Sequence, residues 1–116
     1  MLYHADVFMP RKIKNMIPAK AIRPVYSRHA IDASNTDRYG RLALPDTIDL
    51  SKATLIEVEK YNTGIVKIVI RVPMTANADL CLAIIPQGWI VKTVWANEVG
   101  DSHGTLDRSR YVKLGE

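Results

Sequence analysis

The sequence predicts an α+β domain: a four-stranded antiparallel sheet with one main helix packed on one face and an irregular basic N-terminal arm. Three observations lead there. Residues 54–96 hold four β-rich stretches separated by short turn signals. Residues 26–39 place apolar side chains behind a capping serine. Residues 1–25 are interrupted by Pro10, Pro18 and Pro24, which exclude a long helix. At 116 residues, 47% hydrophobic and 24% charged, the chain has the length and composition of one globular domain with a modest core. The expected division is an arm over 1–25 and a single α+β domain over 26–116.

In the arm, Ile13, Met16 and Ile17 have helical spacing, enough for one or two turns outside the core. Ser27 offers an acceptor to an orphan N–H and starts a helix over 26–39, with Ala30, Ile31 and Ala33 apolar and Gly40 as the stop. Residues 42–53 read as a loop with a short helical turn at 49–53. The first strand, 54–60, alternates Ile56 and Val58 with Glu57 and Glu59. Asn62-Thr63-Gly64 turns the chain into 65–72, where Val66, Ile68, Ile70 and Val72 alternate with Lys67 and Arg71. Residues 79–85 are apolar on both faces, as a central strand requires. After Pro86-Gln87-Gly88, residues 88–96 form the fourth strand, on which Trp89 and Trp95 are expected to share a face. A short strand or turn is expected at 110–114.

The net charge is +4, and its distribution is uneven. Residues 1–30 carry Arg11, Lys12, Lys14, Lys20, Arg23 and Arg28 against Asp6 alone, whereas the rest of the chain is close to neutral. This asymmetry points to an anionic partner, with RNA or another nucleic acid first, or to a solvated arm. No apolar run reaches the ~20 residues of a membrane helix, and the N-terminus lacks the apolar core of a secretory signal. The single cysteine, Cys81, lies in an apolar run and suits a buried residue in a reducing, cytoplasmic setting.

If the Ile68 side of the sheet faces the helix, Lys67 and Arg71 project from the other side, with Lys92, Glu57 and Glu59 joining them in a suitable register. Such a charged platform suits a phosphodiester: cations stabilise charge on the phosphorus oxygens, and an imidazole or carboxylate moves the 2′-hydroxyl proton. Two imidazoles are placed to flank it, His29 on the helix and His103 in a Gly-bounded polar loop. Arg108, Arg110 and Tyr111 form a second cluster able to bind phosphate or stack a base. No metal site is expected, because the lone Cys and widely spaced His lack ligand spacing. No cofactor motif is present.

The residues YSRHA (26–30), KIVIRV (67–72) and WIVKTVWAN (89–97) give the chain a resemblance to the RelE-like and barnase-like superfamily of small ribonucleases, which includes many toxins. The resemblance covers roughly 26–97. It implies metal-independent RNA cleavage leaving a 2′,3′-cyclic or 3′ phosphate, with His29, Arg71, Thr93, His103 and Tyr111 as site candidates and an antitoxin as a candidate partner. The region after the first helix, DASNTDRYG, lacks the basic cluster of many such toxins.

Two readings stay open. One is a small metal-independent endoribonuclease, with His29, His103, Arg71 and Thr93 catalytic and Lys67, Lys92, Arg108, Arg110 and Tyr111 binding substrate. The other is a non-enzymatic phage or mobile-element protein that engages a host protein or nucleic acid. A free edge strand or exposed Trp95 would permit a homodimer.

Overall fold

The computed structural model describes residues 1–4, 10–99 and 112–113. Its centre is the predicted meander: β5 (Thr54–Tyr61), β6 (Gly64–Pro73), β7 (Ala78–Ile85) and β8 (Ile90–Glu98), each antiparallel to the next. The β5–β6 turn needs Gly64, whose φ of 129° is rarely open to a side chain. The β7–β8 turn places Trp89 at φ 52°, an uncommon conformation for so bulky a residue.

The expected fold class is corrected in four ways. The sheet extends beyond four strands, in the order β1-β5-β6-β7-β8-β3, with β1 at Leu2–His4 and β3 at Val25–Tyr26. A last strand, β9 (Val112–Lys113), pairs with Thr54 and Leu55, on the same β5 edge that β1 occupies at residues 57–59. The sheet is also mixed, because β3 runs parallel to β8. A separate two-stranded sheet joins β2 (Ala21–Ile22) to β4 (Ile48–Asp49). Helix is scarce: α1 covers Arg11–Lys14, α2 covers Arg28–Asn35 rather than 26–39, and a 3-10 turn covers Leu50–Lys52. The Ser34–Thr36 stretch ends α2 early: the Ser34 hydroxyl donates to the Ile31 carbonyl and that of Thr36 to the Asp32 carbonyl.

The arm is not separate from the core. Ile13 and Ile17, four positions apart on the turn opened by Pro10, are buried with Ile22 among Leu55, Ile68, Ile70 and Leu82. Burying three isoleucines stabilises this docking by several kcal/mol, at about 1.5–3 kcal/mol each.

α2 supplies the edge of the sheet that β3 does not reach. The chain leaves β3 at Ser27, whose N–H donates to the Val91 carbonyl at 3.0 Å. After α2, Asp37 Oδ1 accepts the Ala96 N–H at 3.2 Å and Arg38 Nη2 donates to Asn97 Oδ1 at 3.3 Å. Eight helical residues advance about 12 Å, and the strand from Lys92 to Ala96 about 13 Å. The helix therefore bridges the stretch of β8 between its two anchor points. Ala30 and Ser34, one turn apart, are its buried face.

The two faces of the sheet differ. Leu55, Val58, Ile68, Ile70, Leu80, Leu82, Ile84, Val91 and Val94 form the main core with α1, α2 and β2. The opposite face carries a second cluster of Ile56, Val69 and Ala83, with Trp95 against it. Trp89 packs on the main cluster, so the two tryptophans do not share a face: Trp89 belongs to the turn, not to the strand. Among the described residues no helix is long and apolar enough to cross a membrane.

Candidate functional site

A serine builds the corner that holds the candidate residues. The Ser27 hydroxyl accepts the Ala30 N–H at 3.0 Å, capping α2, and donates to the Lys92 carbonyl at 3.0 Å. Lys92 is the extra residue of a β-bulge: Thr93 pairs with Ala83 and Val91 with Ile84, leaving Lys92 between them. Its side chain is exposed, as are those of Arg28 and His29 in the first turn of α2. One hydrogen bond thus joins the segments bearing His29, Arg28 and Lys92. Thr93 follows at once, half-buried on the face of Val69 and Ala83. An exposed imidazole can accept a proton, and exposed cations on the adjoining segment can hold a phosphate.

Other candidates lie elsewhere. Lys67 is half-buried on β6 and pairs in register with Glu59 of β5. Arg71 is 1% exposed and does not project to solvent. Its Nε donates to Asp79 Oδ2 at 3.1 Å and its Nη2 to the Glu98 carbonyl at 2.9 Å. The expected open charged face is therefore corrected at its centre, where Ile56, Val69, Cys81 and Ala83 are buried around Arg71. The signal for this is Asp79, a lone carboxylate at the start of an otherwise apolar strand, two register pairs along from Arg71 and so on the same face. Arg71, Asp79, Thr54 and Thr75 line a cavity of ≈ 280 Å³. His103, Arg108, Arg110 and Tyr111 lie outside the described residues.

Ser27 and Arg28 were not among the sequence candidates. Ser27 is recognisable only as a cap, and its second bond spans 65 positions. Cys81 is fully buried, and burial, more than the opposing Arg71 charge, pushes its thiol up to about 12. Tyr26 is pushed up to about 12 by burial and then by Asp46, and its hydroxyl donates to the Pro45 carbonyl at 2.6 Å. A separate apolar groove of ≈ 430 Å³ runs between Leu44, Pro45, Ile48, Val72, Met74 and Leu80 and contains none of the acid–base candidates. Among the described residues no three His, Cys, Asp or Glu side chains converge as a metal site would require.

Compared with protein-family models, curated proteins and solved structures, the chain matches none.

Proposed function

We propose that this chain is a small RNA-acting domain of ribonuclease type that works at the α2–β8 corner. The observation that carries the reading is the Ser27–Lys92 hydrogen bond, which fixes the His29 turn against the cationic bulge. His29 takes the proton of an RNA 2′-hydroxyl. The freed oxygen attacks phosphorus, and the P–O5′ bond breaks. The departing 5′-oxygen receives a proton, from the imidazolium or from His103, the second imidazole of the proposal. The products are a 2′,3′-cyclic phosphate and a 5′-hydroxyl. Arg28 and Lys92 stabilise the charge on the phosphorus oxygens, and Thr93 adds a hydroxyl donor. The buried Arg71 acts through the fold rather than on the phosphate. The setting we assign is the cytoplasm, and a toxin-like chain of this kind would need an antitoxin.

Incubation with mixed RNA in EDTA tests this. Fragments ending in cyclic or 3′ phosphate are the expected result, and intact RNA from every substrate, translating ribosomes included, contradicts it.

A second reading, non-enzymatic binding to a host protein, draws on Val25 and Ile90. These register partners across β3 and β8 are 58% and 37% exposed. On that reading RNA stays intact and Val25→Lys abolishes partner binding.

A further inference from the structure

We propose that the docked N-terminal segment is a track for single-stranded RNA that leads to the α2–β8 corner. The destination rests on the ribonuclease reading; the binding itself does not. In the sequence the basic residues are a run on a presumed loose arm. In the structure Ile13, Ile17 and Ile22 are buried in the core, so the exposed Arg11 and Lys12 are held on the outer side of α1. The Lys20 carbonyl accepts the Leu50 N–H at 2.9 Å, which draws the 3-10 turn and its exposed Lys52 alongside the exposed Lys20. Arg23, also exposed, lies on the two-residue link from β2 to β3, and β3 leads directly to Ser27, Arg28 and His29. In chain order these exposed cations lead to the candidate site, and the Lys20–Leu50 bond brings a second part of the chain to the same stretch.

Among the described residues, the exposed carboxylates along the path are Asp32, Asp46 and Asp49. Asp49 is held by the Ser51 hydroxyl and N–H, which lower its pKa. Among the described residues cations remain in excess. From Lys20 to Arg28 the chain spans up to about 26 Å, a length suited to several nucleotides of a single strand. An acidic protein would instead seek an apolar centre to its interface. Along the segment the exposed large apolar residues are Met16 and Val25, and the apolar pair that Val25 makes with Ile90 sits at the β3–β8 edge rather than among Arg11, Lys12 and Lys20.

The test is anisotropy of a labelled single-stranded RNA with the His29→Ala protein in EDTA, over a range of salt. The same is done with Arg11→Gln and Lys12→Gln added, and urea midpoints verify folding. Loss of two phosphate contacts should reduce the slope of log K against log salt by about 1.4, at about 0.7 per contact, and weaken all RNA sequences alike. An unchanged slope and affinity overturns the proposal, as does binding to a polyglutamate peptide in place of RNA. If the parent leaves RNA uncut but the slope falls, the ribonuclease reading fails and the track stands. If the parent cuts RNA but the slope is unchanged, the track fails and the ribonuclease reading stands.

Discussion

Ser27 and Lys92 hold the first turn of α2 against the bulge of β8: the serine hydroxyl accepts from Ala30 and donates to the Lys92 carbonyl, both at 3.0 Å. One side chain therefore caps a helix and closes a sheet edge. Ser27→Ala should cost about 1–2 kcal/mol, read from urea unfolding. It should also slow RNA cleavage under conditions where the protein remains folded, because His29 loses its fixed start. Ser27→Thr keeps the oxygen and should restore most of both.

Arg71 separates a structural role from a phosphate-binding one. Arg71→Ala leaves the Asp79 carboxylate buried without its guanidinium and should destabilise the fold by about 3–5 kcal/mol. Replacing the pair by Met and Leu should be far milder. Urea midpoints measure both. A stable Arg71→Ala protein that has lost only RNA binding would place Arg71 on the phosphate instead.

The legible part of the fold is the part written in side-chain period. Val66, Ile68, Ile70 and Val72 announce β6, and the two-sided apolar run of 79–85 announces β7 as central. Period says nothing about β2, β3 and β4, two residues each, whose partners lie 26 or more positions away. It is also blind to the bulges, and these matter for the site. The shift between Leu55 and Glu57 lets Ile56 turn to the second cluster, and the one beside Ala83 singles out Lys92. His29, Lys92 and Thr93 can be named from the sequence as residue types. That the segments bearing the first two adjoin depends on Ser27, a contact across 65 positions.

The arm gives the third prediction. Because Ile13 and Ile17 are each 5% exposed in the main core, Ile13→Ala or Ile17→Ala should each cost about 2–5 kcal/mol. Thermal melts would show this. A dispensable arm would leave the melting temperature unchanged.

Cys81 and Tyr26 make the fold less stable at alkaline pH. Folding raises the Cys81 thiol from 9.0 to about 12, and Tyr26 from 10.0 to about 12. In that window the unfolded chain loses protons that the folded chain retains. Their contribution is therefore complete below pH 9 and is lost as pH rises through about 12. Denaturation midpoints should fall across this range, less steeply in Cys81→Ala and Tyr26→Phe. For the same reason a thiol reagent at neutral pH should label Cys81 only after unfolding.

The central claim is that His29 moves a proton during RNA cleavage, and the direct measurement is the initial cleavage rate of parent and His29→Ala in EDTA, with matched urea midpoints. The expected result is metal-independent cleavage by the parent and a loss of about 10²–10⁴-fold in the folded variant. Equal rates in the two proteins would contradict it.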